Sequence, residues 1–132
     1  MKNKIKFELI TPSKILLDQD VEMVVIPGIE GYFGVLPEHA STLSALQSGV
    51  ISIYEDDKVV SRSLIDGGVA SVQPEGCYIL AERAESVDKI NKEELQKRLD
   101  IATNNYNMTD DENEKSVALQ EKKWIELIFS SI

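Results

Sequence analysis

The sequence predicts a two-part chain: an N-terminal antiparallel β-sandwich over residues 1–86, followed by an antiparallel α-helical hairpin over residues 87–132. Three observations carry this reading. Hydrophobicity alternates with period two up to about residue 86, and β-branched residues recur in short runs separated by turn chemistry. After Val87 the apolar spacing changes to three and four, and a capping sequence stands at the change.

Ile5, Phe7 and Leu9 alternate with Lys4, Lys6 and Glu8, which describes a half-buried strand. Further strands are expected at Lys14–Leu17, Val21–Ile26, Val50–Tyr54, Val59–Ile65, Val69–Val72 and Tyr78–Ala81. From the end of the strand at Val21–Ile26, ahead of the one at Val50–Tyr54, runs the segment from Val24 to Ala40, with Gly28, Gly31 and Gly34 spaced three apart ahead of an apolar Val35-Leu36 pair. Glycine there lets the backbone turn sharply and approach a neighbour closely. Pro27 and Pro37 bracket the segment and lack an N–H, so neither suits the middle of a fully paired strand. The segment reads as strand, stiff loop, strand, exit. Asp56-Asp57, Gly67-Gly68 and Pro74-Glu75-Gly76 supply the remaining turns. Many short strands with no helical interruption specify a sandwich or flattened barrel.

Asn91-Lys92-Glu93-Glu94 is a capping box, with Ile90 and Leu95 at the staple positions. Leu95, Leu99, Ala102 and Tyr106 form one apolar stripe, and Glu93→Lys97 and Glu94→Arg98 are i,i+4 pairs in the favourable order. Asn104, Asn105 and Asn107 favour turns, so the first helix is expected to end near them. Thr109-Asp110-Asp111-Glu112 is a second capping box. The helix after it carries Val117, Trp124 and Ile128 on one stripe, flanked by Ala118, Ile125 and Leu127. A short polar loop between two such helices makes an antiparallel hairpin.

Composition narrows the function. The 132 residues suit one ordinary domain, or a small one with an appendage. Fourteen Lys+Arg against 23 Asp+Glu give a formal charge of −9, which repels phosphate backbones, so no nucleic-acid partner is expected. The single cysteine, Cys77, lies in an apolar stretch and reads as a buried bystander thiol in a reducing compartment. The opening residues Met1 to Glu8 place charges where an export signal requires an apolar core. No run approaches the ~18 apolar residues of a membrane span, so any membrane association is expected to be indirect, through partners.

Catalysis finds little support. His39 is the only histidine, which removes a histidine metal triad and leaves one residue for any Ser-His-Asp arrangement. Taken alone, a histidine beside Pro37 and Glu38 is most often a surface or hydrogen-bonded structural residue. The glycine loop is followed by no Gly-Lys-Ser/Thr, so a phosphate cradle is not expected. The acids are scattered over turns and helix faces rather than paired for acid/base work. No catalytic residue, metal or cofactor is expected.

The order Ile26-Pro27-Gly28-x-x-Gly31-x-Phe33-Gly34-Val35-Leu36-Pro37-x-His39-Ala40 closely resembles the epsilon subunit family of bacterial F-type ATP synthases, called delta in mitochondria. The likeness continues through Leu46-Gln47-Ser48-Gly49, Asp66-Gly67-Gly68 and Ala81-Glu82-Arg83-Ala84, and so spans nearly the whole chain. Several motifs in this order are far more specific than one glycine loop.

The resemblance implies a sandwich with a helical hairpin, which agrees with the pattern above, and a non-catalytic rotor-stalk subunit that couples proton-driven rotation of the c-ring to ATP synthesis through gamma. It implies a partner interface at Glu30, Gly31, Tyr32, Phe33 and His39, with the tip around Glu30-Gly31-Tyr32 against the c-ring and His39 toward gamma. An exposed aromatic beside a carboxylate suits a polar interface rim.

Some bacterial members bind ATP through [Ile/Leu]-Asp-x-x-Arg-Ala before the first helix. Here Val87-Asp88-Lys89-Ile90-Asn91-Lys92 keeps Asp88 but has Asn91 for the arginine, so Asp88 is a remnant and nucleotide binding is expected to be weak or absent. On the residues alone, Asp88 or Asn91 is a helix cap.

In the family, basic residues of the second helix also meet an acidic segment of the beta subunit and block rotation. From Asp110 to Glu126 this chain has six acids against Lys115, Lys122 and Lys123, a net charge of −3, so inhibition is expected to be weak. The implied location is peripheral, on the cytoplasmic side of the bacterial inner (plasma) membrane. The rivals are a stand-alone ligand-binding β-sandwich, which would need a cavity with convergent polar groups, or an unrelated protein-interaction module.

Overall fold

Strand follows strand to residue 86 and helices follow after it, in a computed structural model that describes residues 3–132. Met1 and Lys2, which open the charged N-terminal segment, lie outside the described residues. The strands are β1 (Ile5–Thr11), β2 (Lys14–Val21), β3 (Met23–Gly28), β4 (Gly31–Val35), β5 (Thr42–Leu46), β6 (Gly49–Glu55), β7 (Lys58–Ile65), β8 (Gly68–Gln73), β9 (Gly76–Ala81) and β10 (Ala84–Ser86). The helices are α1 (Lys92–Met108) and α2 (Glu112–Ser131). The chain divides into two compact units between Ser86 and Val87.

In the first unit one sheet folds on itself in the order β10-β7-β6-β3-β5-β8-β9-β1-β2, with β4 pairing β3 off this path. Every pairing is antiparallel except β1 with β9, which run parallel from Lys6↔Gly76 to Ile10↔Leu80. Parallel neighbours need a long crossover, and the strands β2 to β8 provide it. The inward phase of the strands makes the core: Ile5, Phe7 and Leu9 from β1, Val24 and Ile26 from β3, Ile51 and Ile53 from β6, Ala70 and Val72 from β8, and Cys77 and Ile79 from β9. Thr11 occupies the fourth inward position of β1, and its hydroxyl donates to the Lys14 carbonyl at 3.2 Å, so no polar group is stranded there. Asp56 and Asp57 take φ of 51° and 64°, the left-handed pair of a two-residue hairpin turn between β6 and β7.

The strand expected over Val21–Ile26 is divided. Val21 ends β2 and Val24 lies in β3, both fully buried and three residues apart, so period two breaks at Glu22, whose Oε1 accepts from Asp56 N at 2.9 Å. β5 and β10 were not separable in the sequence, because Thr42–Leu46 has one buried apolar residue, Leu46, and β10 is three residues long.

Burial pushes the Cys77 thiol up from 9.0 to about 12. The folded chain keeps its proton where the unfolded chain loses it. This contribution to stability is therefore complete below about pH 9 and is lost as pH rises from 9 toward 12. We expect Cys77→Ala to show a shallower loss of stability across that window, measured by urea titration, and iodoacetamide to modify native Cys77 only through unfolding.

In the second unit Asn91 caps α1, its Oδ1 accepting from the amides of Glu93 at 2.8 Å and Glu94 at 3.3 Å. α1 runs through Asn104, Asn105 and Asn107 and ends at Met108, next to the expected asparagines, because packing along α2 outweighs their small propensity penalty until that point. The cap of α2 is Asp111 rather than Thr109; its carboxylate accepts from Asn113 N at 2.8 Å, while the Thr109 hydroxyl accepts from Asp111 N at 3.2 Å. Arg98 reaches across to Glu121 on α2 at 3.2 Å. Lys115 and Lys122 stand 5.8 and 5.9 Å from the centre of the Tyr106 ring, a distance that suits cation–π attraction. Trp124 and Ile128 of the expected stripe are buried together with the flanking Ala118 and Ile125, whereas Val117 is 66% exposed and Ala118 takes its place in the helix contact.

Candidate functional site

β3 and β4 form a hairpin closed by Ile29 and Glu30, with Gly28 opposite Gly31 and Pro27 opposite Tyr32. Two of its glycines are required by geometry. A Cβ on Gly28 would lie 2.8 Å from the Gly31 carbonyl oxygen and 2.9 Å from the Phe33 ring, and Gly31 takes φ of 135°. The loop read from the three glycines is therefore a tight hairpin whose ring and backbone touch.

Pro27 explains how the hairpin is fastened. It has no N–H, and its carbonyl accepts from Gln47 N at 2.9 Å, so the ladder between β3 and β6 stops at Val25↔Ser52. The Val50 amide instead donates to the Tyr32 hydroxyl at 3.1 Å. Tyr32 lies over Gly49, where an added Cβ would collide with that hydroxyl and sit 2.8 Å from Pro27 Cβ. Tyr32 is 55% exposed, but its polar tip is spent within the sandwich. We expect Tyr32→Phe to lower the stability of this unit by about 1 kcal/mol and to speed exchange of the Val50 amide. Unchanged melting and exchange would show that the hydroxyl does not fasten the hairpin.

Phe33 is half-buried and packs against the core, because β4 turns Phe33 and Val35 inward. Glu30 is exposed at the turn. His39 follows a turn in which His39 N donates to the Leu36 carbonyl at 3.2 Å, with Pro37 second and Glu38 third at φ 64°, as a type II turn requires. Its Nδ1 lies 2.8 Å from the Ala40 carbonyl, so the ring is held in place. Glu30, Gly31, Phe33 and His39 line one open concavity of about 560 Å³, with Thr42 and Ser44 on its far side. Tyr32, on the opposite phase of β4, does not line it. Asp88 is exposed in the turn before α1 and does not line it either.

A second surface was not anticipated residue by residue. Along the outer phase of the sheet, Ala45 stands opposite Val69, Val69 opposite Leu80, Leu80 opposite Ile10 and Ile10 opposite Ile15. This apolar row crosses β5, β8, β9, β1 and β2. Val69 is 41% exposed, Leu80 58% and Ile15 58%, with Leu43 at 77% beside them. Their inward neighbours Leu46, Ala70, Ile79 and Leu9 form the core, so at this row the sheet is apolar on both faces. A contiguous exposed apolar surface of this kind marks a contact with another molecule. The signal in the sequence was the apolar residue at one outward position in each of β8 and β9, Val69 and Leu80.

Residues 4–87 match the family model described as ATP synthase, Delta/Epsilon chain, beta-sandwich domain. The chain is 37% identical over 131 residues to the ATP synthase epsilon chain of Rhodospirillum rubrum, covering 99% of this chain and 98% of that one. It is 40% identical over 118 residues to the ATP synthase epsilon chain of Maricaulis maris, covering 89% and 88%. Among solved structures, it resembles a chain of the Euglena gracilis mitochondrial ATP synthase, OSCP/F1/c-ring, with TM-score 0.67 and 25% identity over 97% of this chain and 81% of that one. A chain from the central stalk/c-ring of the Tetrahymena thermophila mitochondrial ATP synthase shares the fold at TM-score 0.56 and 20% identity, covering 98% and 97%.

Proposed function

The chain belongs to the delta/epsilon-chain family of ATP synthase, and from that premise we propose that it is a non-catalytic central-stalk subunit carrying rotation of the c-ring to the catalytic head through gamma. The observation that carries the mechanism is the apolar row from Ala45 to Ile15. A body that transmits torque needs stiffness and two surfaces. Paired strands resist shear because the backbone groups of each ladder are held, and loops cluster where strands end. The apolar row is the broad face for gamma. The concavity lined by Glu30 and His39 serves both contacts, with the Glu30 carboxylate toward the polar loops of the ring and the His39 imidazole toward gamma.

Two family properties are weak in this chain. Asn91 stands where the family pattern has an arginine and spends its side chain on the α1 cap, so that position supplies no guanidinium fork for phosphate, and nucleotide binding is slight. Lys115 and Lys122 lie over Tyr106, within a segment of net charge −3, which favours weak contact with an acidic partner such as the beta subunit. No helix among the described residues is long and apolar enough to cross a membrane. The chain is peripheral, placed by its partners on the cytoplasmic side of the bacterial inner membrane.

The family match over residues 4–87 does not favour a stand-alone ligand-binding module. Affinity purification through a tag on this chain tests the proposal. Recovery of gamma and c subunits supports it, and recovery of the chain alone or with proteins outside an ATP synthase overturns it.

A further inference from the structure

We propose that the groove between α1 and α2 docks a basic amphipathic helix of a partner protein. The groove measures about 770 Å³. Its floor is Ala102 and Ala118, both buried, and small side chains there leave a channel between the helices. Its walls carry Ile101 at 62%, Met108 at 79% and Val117 at 66% exposure. Apolar residues this exposed on one short hairpin contribute nothing to packing within the unit, and apolar side chains of a third helix would cover them.

Charge selects the occupant. Asp110, Asp111, Glu112 and Glu114 crowd the loop end; Asp111 and the first-turn acids meet the positive pole of α2, but the last turn of α1 carries no basic residue, and four carboxylates outnumber the one neighbouring lysine, Lys115. Lys115 is directed to Tyr106. At the other end Arg98 and Glu121 are joined at 3.2 Å and largely cancel. A helix with an apolar stripe flanked by lysine or arginine matches this pattern, whereas a second copy of a chain with net charge −9 does not. This inference stands apart from the stalk reading, since it uses only the second unit's own groove and charge.

The probe is a short helical peptide with leucines at i, i+3, i+4 and i+7 flanked by lysines, with a glutamate-flanked version as control. Each is titrated into the isotope-labelled full chain and followed by amide resonances. The lysine peptide should shift Ala102, Met108 and Val117, and the glutamate peptide should not. Met108→Ser with Val117→Ser should weaken binding about tenfold. Asp110→Asn with Glu114→Gln should weaken it about threefold at low salt and hardly at all at high salt. If the serine variant loses helicity, the carboxamide variant carries the test. Equal binding of both peptides, no shift at the groove, or sedimentation of the free chain as a dimer that the serine variant abolishes would each overturn the proposal.

Discussion

Leu80→Asp should leave the sandwich folded and remove the chain from its ATP synthase. Leu80 occupies the middle of the outer apolar row, between Val69 and Ile10, and more than half of its surface is open in the free chain. A carboxylate there meets water before assembly, so the isolated protein should melt within about 2 °C of the parent, as surface changes of about 0.5 kcal/mol allow. In the proposed complex the same position is covered by gamma. A charge sealed there without a counter-ion costs several kcal/mol, and loss of the leucine adds its own buried area. A penalty of about 4 kcal/mol corresponds to a nearly thousandfold weaker association, enough to leave gamma and the ring without this chain on purification. Leu43→Asp, farther from the centre of the row, should weaken association less, since the rim of an interface stays wet. Normal co-purification of the Leu80→Asp chain would mean that the row does not meet a partner.

The contrast between the two surfaces shows what a linear reading resolves. The glycine hairpin was legible because its constraints are local: Gly28 and Gly31 face each other across a two-residue turn, and Pro27 marks where the ladder ends. The engagement of Tyr32 was not, since its hydroxyl meets the amide of Val50, 18 residues away on another strand. The outer row was further out of reach. It depends on the parallel pairing that sets Leu80 beside Ile10, and alternation within one strand says nothing about which strand lies next to it. In the helices the capping chemistry was visible but over-supplied. Thr109, Asp110 and Asp111 all suit a cap, and the choice of Asp111 shifts the helix start by two residues. Val117 fell outside the buried stripe because Ala118, although less hydrophobic, is small enough to lie in the helix contact.

The row also depends on a residue that lies outside it. Gly68 begins β8 opposite both Leu46 and Ala81, with φ of 151°, a conformation that side chains rarely adopt. A Cβ built on it would land on the Leu80 carbonyl oxygen and come within 3.1 Å of Ala81 Cα, so the backbone of β9 itself would have to move. Gly67 is the natural control. It has φ of 70°, but its nearest obstacle is the Leu46 carbonyl at 3.6 Å, an ordinary contact. Gly67→Ala should therefore cost only the left-handed penalty of about 1–2 kcal/mol. Gly68→Ala adds a backbone collision in a fully paired strand and should cost about 3–5 kcal/mol. For a unit of this size that difference separates a drop in Tm of roughly 5–10 °C from one of about 15 °C or more. Because the displaced strand carries Leu80, any Gly68→Ala chain that still folds should bind its partner less well than Gly67→Ala at equal folded concentration. Equal melting of the two variants would show that β9 yields freely at this point, and the row would then lack the rigid support that torque transmission requires.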